Sequence, residues 1–261
     1  MEQLRAKKGF ICDMDGVIYH GNLLLPGVKE FVRWLKENGK EFLFLTNNSQ
    51  KSNKELRQKL LRMGLDVEEE HFYTASLATA NFLKSQGATS AYVIGDAGLT
   101  NALYQEGITL NDVDPEYVVI GETENYNFES IRKATALVNA GAKLIGTNPD
   151  LTTPTENGEA PACRALVAPV EYATDRHAYF IGKPNPLIMR AAMGPFHARG
   201  IHSQDVAMIG DRMDTDIIAA IESGLDPVLV LSGVSTRESV RTFPYKPRLI
   251  LSGVGDIPEK K

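Results

Sequence analysis

GFICDMDGVIYHG, residues 9–21, contains a short apolar run that ends in two carboxylates, Asp13 and Asp15. If both lie on a strand, their side chains point to the same side and their backbones lie about 6–7 Å apart. Two like charges at that spacing repel each other unless a cation lies between them or one group is protonated. The alternative is a plain turn after a polar strand end, since Asp-Gly is a strong turn signal. The rest of the chain has to decide between them.

The composition is that of an ordinary globular protein. The 261 residues are 43% apolar and 23% charged, which suits one large domain or two modest ones. The net charge of −5 gives no support for nucleic acid or an anionic membrane as a partner. Two cysteines are too few for a disulfide framework, which favours a reducing cytoplasm. The charged N-terminus precedes no long apolar run, so we expect no signal peptide or membrane span.

Short apolar strands alternate with amphipathic helices along the chain. Apolar residues at helical spacing predict a helix over about residues 27–38, and Ser52 with Glu55 forms a capping box that starts another. This alternation predicts a mainly parallel, doubly wound α/β sheet. A Gly-Pro pair within residues 193–200 predicts a helix break. Residues 148–163 are expected to form a long polar loop, and such loops are often functional.

Three more strands end in polar residues. Thr46 and Asn47 follow one apolar run, Lys183 follows another, and Asp211 follows a third. Because ligands bind beyond the carboxyl ends of parallel strands, we expect these groups close to the two carboxylates of the first run. Carboxylates suit Mg²⁺, and a lysine with a hydroxyl suits a bound phosphate. Backbone N–H groups around Gly16 and Asn47 are expected to complete an anion nest.

Four motifs, DMDG, LTNN, GKP and GDRMDTD, occur in this order and resemble the motifs of the haloacid dehalogenase superfamily. The opening D-x-D-G-V, together with GETENYN and TNPD between the second and third motifs, narrows the resemblance to the NagD-like phosphatases. The resemblance implies a doubly wound, mainly parallel-sheet core, residues 1–72 and 181–261. It also implies an α/β cap domain inserted between them, residues 73–180.

The resemblance implies a role for each matching residue. Asp13 matches the nucleophile that forms an aspartyl-phosphate, and Asp15 matches the general acid and base. Lys183 matches the lysine that bridges nucleophile and phosphate. Mg²⁺ would be held by Asp13, the Asp15 carbonyl and Asp211, while Asp216 matches an outer acid that orients water or the lysine. The expected substrate-binding residues are Thr46, Asn47, Asn48, Gly16, Asn148 and Asp150.

The resulting expectation is a Mg²⁺-dependent phosphomonoesterase for small phosphorylated metabolites, either nucleoside monophosphates or sugar phosphates. A phosphotransferase or mutase of the same chemistry stays open, as does a phosphate-ligand binding module without turnover. A glycosidase with two carboxylates is a third alternative. The physiological substrate, self-association, and any contact of Cys163 or Arg164 with substrate also stay open.

Overall fold

The computed structural model of the protein describes residues 1–155 and 158–259. Its strands, in chain order, are β1 (Gly9–Cys12), β2 (Tyr19–His20), β3 (Leu23–Leu24), β4 (Glu41–Thr46), β5 (Phe72–Thr74), β6 (Ser90–Ile94), β7 (Thr109–Leu110), β8 (Tyr117–Ile120), β9 (Lys143–Gly146), β10 (Thr152–Thr155), β11 (Gly158–Pro161), β12 (Tyr179–Phe180), β13 (Val206–Gly210), β14 (Asp226–Val230) and β15 (Leu249–Leu251). Its α-helices are α1 (Glu2–Arg5), α2 (Val28–Glu37), α3 (Asn53–Arg62), α4 (Ala75–Ser85), α5 (Ala97–Gln105), α6 (Phe128–Asn139), α7 (Cys163–Thr174), α8 (Pro186–Ala192), α9 (Gly194–Ala198) and α10 (Ile218–Glu222).

The chain divides into two compact units. The core unit comprises Met1–Thr46, Arg57–Tyr73 and the chain from Lys183 onward. The inserted unit comprises Asn47–Leu56 and Thr74–Gly182. The sequence predicts somewhat different domain limits, 1–72, 73–180 and 181–261, and these stay a prediction.

The core unit is built on a six-stranded sheet in the order β15-β14-β13-β1-β4-β5. Strand β1 lies between β13 and β4 and is parallel to both, with Cys12 opposite Ile209 on one side and Phe44 on the other. Every residue of β1 and β13 is buried, as expected of strands covered on both faces. The carboxyl ends of these three neighbouring strands therefore lie side by side, which confirms the expected doubly wound core.

The inserted unit has its own five-stranded sheet, in the order β12-β9-β8-β6-β7. The pairs within it are parallel. An apolar core of strand and helix residues, including Val118, Leu144 and Val167, packs on this sheet. The unit is therefore a second α/β layer structure with its own core.

Local sequence signals place the helices well. Helix α2 buries the apolar stripe Val28, Phe31, Val32 and Leu35. The capping box at α3 is present: the Glu55 carboxylate accepts from the Ser52 N–H at 2.8 Å, and the Ser52 hydroxyl accepts from the Glu55 N–H at 3.3 Å. The helical stretch around residues 193–200 breaks between α8 and α9 as predicted. Among the described residues, no helix combines the length and apolar character that crossing a membrane requires.

Residues 148–163 do not form the long polar loop expected from the sequence. Strands β10 and β11 pair antiparallel within it, with Thr152 opposite Pro161 and Thr155 opposite Gly158. Thr152, Thr153 and Thr155 supply β-branched side chains that suit a strand, which the prolines and asparagines in the same stretch obscured. Residues 156–157 of this expected loop lie outside the described residues.

Candidate active site

Three strand ends of the core sheet bring the predicted acidic residues together. The Asp13 N–H donates to the Ile209 carbonyl at 2.8 Å, which extends the β1–β13 pairing by one residue. Asp211 follows β13 directly, and the buried Thr46 ends β4. The site therefore lies at the switch point beside the central strand, where open α/β sheets bind their ligands.

Lys183 holds two carboxylates at once. Its Nζ lies 2.6 Å from Asp13 Oδ1 and 2.7 Å from Asp216 Oδ1, and it also donates to the Leu45 carbonyl at 3.4 Å. Its side chain is only 2% exposed. Burial alone would lower the pKa of the lysine, but the two carboxylates outweigh burial and raise it. Lys183 is therefore a fixed cation beside Asp13.

Asp216 reaches this position from a short π-helix, Met213–Ile217, a local widening that is frequent at functional sites. Its Oδ2 accepts from the backbone N–H groups of Asp211 and Arg212, at 3.2 Å and 3.1 Å. Both oxygens of Asp216 are thus held by the protein. This arrangement fits the predicted role of orienting the lysine, and it fixes the loop that carries Asp211.

Asp211 has one bonded and one unbonded oxygen. Its Oδ2 accepts from the Val234 N–H at 2.7 Å, whereas its buried Oδ1 has no hydrogen-bond partner within the described part of the chain. Burial and the neighbouring Asp216 raise the pKa of Asp211 to about 7. A Cβ at Gly16, where φ is +75°, would lie 2.5 Å from Asp211 Oδ2, and one at Gly233 would lie 2.1 Å from it. Glycine at these positions makes room for the carboxylate.

The donor set fits a divalent cation. Oxygens of Asp13, Asp211 and Asp216 lie within 4.8 Å of one another. Burial raises the pKa of Asp13 well above its usual range, Lys183 opposes this, and the two neighbouring carboxylates add to it. A buried acidic cluster of this kind is stabilised by a cation, and oxygen ligands suit Mg²⁺. The unbonded Asp211 Oδ1 is a free ligand atom for it.

The Asp15 carboxylate is not one of the three grouped carboxylates, and Asp15 lies beyond the end of β1, which corrects the strand geometry assumed from the sequence. Strand β1 ends at Cys12, and the Ile18 N–H donates to the Met14 carbonyl, so Asp15 sits in a turn. Its half-exposed carboxylate lies 3.6 Å from His20 Nδ1. Burial raises the pKa of Asp15, although His20 and Lys59 oppose the shift. The two carboxylates thus occupy different environments, one beside a buried lysine and one in a partly open turn.

Two further expectations need correction. The Gly16 N–H donates to the Tyr19 carbonyl at 2.8 Å, so it is not directed into an anion nest. The strand that precedes Lys183 pairs with β9 in the inserted unit, so the lysine is not a strand end of the core sheet. Lys183 is the residue at which the chain re-enters the core unit, just before α8.

The expected substrate-binding residues Asn47, Asn148 and Asp150 form a hydrogen-bonded group in the inserted unit. The Asn47 amide donates to Asp150 Oδ2 at 3.0 Å, and the fully buried Asn148 amide donates to the Asn47 carbonyl at 2.7 Å. Asn48 instead donates to Gln50 Oε1, at 3.3 Å. The amide nitrogen of Asn148 is therefore directed to protein acceptors. Substrate contact by these residues stays a prediction.

Two residues left open by the sequence have clear environments. Cys163 is buried and donates to the Ile120 carbonyl at 3.2 Å. Burial raises the pKa of its thiol to about 12, which leaves it inert as a nucleophile. The exposed Arg164 places its guanidinium 4.9 Å from the centre of the Phe180 ring. Both side chains therefore have a partner within the inserted unit.

Sequence reasoning used GETENYN only as part of a resemblance and did not single out Glu122. The structure buries this carboxylate next to Ser49, whose N–H and hydroxyl both donate to Glu122 Oε2, at 2.9 Å and 2.8 Å. The available signal was a charged residue two positions beyond the end of a fully buried strand, since buried charges are rare without partners.

Comparison with known families finds two matching models. Residues 10–109 match the model described as haloacid dehalogenase-like hydrolase, and residues 180–257 match one described as HAD-hydrolase-like. The two matches contain the Asp13 and Thr46 strand ends and the Lys183 and Asp211 segments respectively.

Curated relatives and solved structures are similar over nearly the whole chain. A dihydroxyacetone phosphatase of Corynebacterium glutamicum is 43% identical over 96% of this chain and 90% of its own length. The ribonucleotide monophosphatase NagD of Escherichia coli is 39% identical over 96% of this chain and 98% of its own. The crystal structure of a 4-nitrophenylphosphatase from Thermotoga maritima superposes with a TM-score of 0.92 at 32% identity, covering 98% of this chain and 97% of its own.

Proposed function

Because this chain belongs to the haloacid dehalogenase-like hydrolases and is a phosphomonoester hydrolase of NagD-like type, we propose that it uses Mg²⁺ and an aspartyl-phosphate intermediate. One observation carries the proposal: Asp13 is buried, is held by Lys183 at 2.6 Å, and shares an acidic cluster with Asp211. This membership sets aside the glycosidase alternative.

In the proposed first step, a carboxylate oxygen of Asp13 attacks phosphorus, and the bond from phosphorus to the leaving oxygen breaks. Asp15, protonated at this stage, gives its proton to that oxygen. Its raised pKa supports this role. Lys183 holds Asp13 in place, and the Thr46 hydroxyl with the Asn47–Asn48 backbone binds the phosphoryl oxygens.

In the second step, Asp15 takes a proton from water, and the water oxygen attacks phosphorus. The bond between phosphorus and Asp13 breaks, and inorganic phosphate leaves with Asp13 restored. Asp13, the Asp15 carbonyl and Asp211 would hold Mg²⁺, which would supply positive charge that stabilises the phosphoryl group. Asp216 keeps Lys183 in place throughout.

The proposed substrates are small phosphorylated metabolites, nucleoside monophosphates or sugar phosphates. The relatives' names support this class, and the segment around Asn148 and Asp150 is proposed to face the leaving group. We place the protein in the cytoplasm, a proposal supported by two free cysteines that are both buried.

The test is phosphate release from dihydroxyacetone phosphate, sugar phosphates, nucleoside monophosphates and 4-nitrophenyl phosphate, with Mg²⁺ and with EDTA. We expect metal-dependent release that Asp13→Asn abolishes, while Asp15→Asn lowers kcat by about 10²–10⁴-fold. Asp214→Asn is the matched control, because this carboxylate is half-exposed and pairs with Arg212. Activity that survives in Asp13→Asn or in EDTA contradicts the proposal.

The phosphotransferase alternative has its own readout in the same assay. Adding an alcohol acceptor such as glycerol lets a transferase consume ester without releasing an equal amount of phosphate. We expect equal amounts of ester consumed and phosphate released at all acceptor concentrations. A shortfall of phosphate that grows with acceptor concentration would favour transfer.

A further inference from the structure

Glu122 is a buried carboxylate that the proposed mechanism does not use. It follows β8 in the inserted unit and is 6% exposed. Burial raises its pKa, while bonds from Ser49 and Asn148 oppose the shift. A charged side chain is costly to bury, so its position calls for compensating contacts.

Three donors converge on the two oxygens of Glu122. Its Oε2 accepts from the N–H and the hydroxyl of Ser49, at 2.9 Å and 2.8 Å. Its Oε1 accepts from the Asn148 amide at 2.8 Å. The Ser49 hydroxyl also accepts from the Glu122 N–H at 3.2 Å and from Thr147 Oγ1 at 3.1 Å. The contacts tie together three segments of the inserted unit.

The same contacts hold the segment that follows Thr46. Asn148 Nδ2 donates to both Glu122 Oε1 and the Asn47 carbonyl, at 2.8 Å and 2.7 Å. Ser49 is held directly, and its own carbonyl accepts from the Ser76 hydroxyl at 2.8 Å. The peptide groups on either side of Asn48 therefore have fixed orientations.

Only a carboxylate satisfies this arrangement. An ionised Glu accepts at both oxygens, whereas Gln replaces one acceptor with a donor. In Glu122→Gln, the new amide NH₂ faces either the Ser49 donors or the Asn148 donor. One of the two sides of the network must then open.

We propose that Glu122 is a positioning residue for phosphate binding, acting through Ser49 and Asn148 on the backbone that follows Thr46. The inference rests on the proposed function, in which Thr46 and the Asn47–Asn48 backbone bind the phosphoryl oxygens. Asn148, buried within the network, acts here as the link between Glu122 and Asn47.

The test measures the binding of inorganic phosphate by calorimetry, with Mg²⁺ present, and kcat and KM for the ester panel. We expect Glu122→Gln to weaken phosphate binding by about 10- to 100-fold and to lower kcat/KM by a similar factor for every ester. The loss is uniform because all esters share the phosphoryl group. Ser49→Ala, which keeps the N–H and loses the hydroxyl, shifts both quantities less and in the same direction.

Val167→Ala is the matched control, because Val167 is fully buried in the apolar core of the same unit. It lowers thermal stability and leaves phosphate binding unchanged below its unfolding transition. If Glu122→Gln also loses thermal stability but keeps normal phosphate binding, the positioning role is overturned. If Glu122→Gln does not fold, the same comparison of stability and phosphate binding is made with Ser49→Ala. A wild-type protein that binds phosphate but hydrolyses no ester overturns the proposed function alone, and one that does not bind phosphate overturns both.

Discussion

At the scale of single residues, the site depends on a balance of buried charge. Asp13, Asp211 and Asp216 carry three negative charges when ionised, and Lys183 returns one positive charge. The negative charge that remains on the cluster is the amount that one divalent cation would neutralise. The lysine therefore has a structural task besides its proposed catalytic one, because it is the cation that the fold itself supplies to the cluster.

Lys183→Met should destabilise the protein strongly. Removing one partner of a buried ion pair leaves uncompensated charge and costs about 3–5 kcal/mol of unfolding free energy. Urea unfolding at neutral pH in EDTA measures this loss. Lys84→Met is the control, since Lys84 pairs with Glu106 at the surface and its loss costs about 1 kcal/mol or less. Equal losses in the two variants would contradict a buried ionised cluster.

At the scale of elements, the loops after β1 and β13 are shaped around Asp211. The turn after β1 reverses within a few residues and brings Gly16 against the Asp211 carboxylate. The segment after β14 brings Gly233 against the same carboxylate, and there the Val234 N–H donates to it. Two glycines thus allow a close approach of backbone to side chain that residues with a Cβ would prevent.

Gly16→Ala and Gly21→Ala separate this steric role from backbone strain. Both glycines have positive φ, at +75° and +57°, but a Cβ at Gly21 meets nothing within 4 Å. Backbone strain alone should cost about 1–2 kcal/mol of stability at each position. Only Gly16→Ala should also lower kcat/KM, by about 10²-fold, because it displaces Asp211. Steady-state kinetics with thermal unfolding measures both, and equal activities would contradict the steric role.

At the scale of the whole molecule, the chain forms two units, each with a mainly parallel sheet and an apolar core. The proposed metal ligands Asp13, Asp15 and Asp211 all belong to the core unit. The segment around Asn148 and Asp150, proposed to face the leaving group, belongs to the inserted unit. Metal binding should therefore act on the stability of the core unit.

Adding Mg²⁺ should raise the thermal unfolding midpoint above its value in EDTA. A ligand at 100 times its dissociation constant adds about 2.7 kcal/mol to the stability of the state that binds it. Differential scanning calorimetry over a Mg²⁺ series gives the shift. Asp211→Asn should reduce the shift, whereas Asp66→Asn, at an exposed ion pair with Arg57, should keep it. A shift that persists undiminished in Asp211→Asn would argue against this residue as a ligand.

Short-range patterns were enough to predict the α/β class, the apolar face of α2, the α3 cap and the break between α8 and α9. Each depends on residues within a few positions of one another, whose spacing decides which face is buried or which N–H is capped. The identity of the motifs likewise predicted that Asp13, Lys183 and Asp211 belong to one site.

Tertiary structure alone decided what each of these groups touches. The position of Asp15 in a turn, the two ion pairs of Lys183 and the unbonded oxygen of Asp211 depend on which strands and loops become neighbours. The pairing of β10 with β11 and the three donors around Glu122 likewise join residues whose local signals are weak or contradictory. Burial and hydrogen-bond partners are set by contacts between segments far apart in the chain, and these contacts determine whether a carboxylate is paired, protonated or available to a cation.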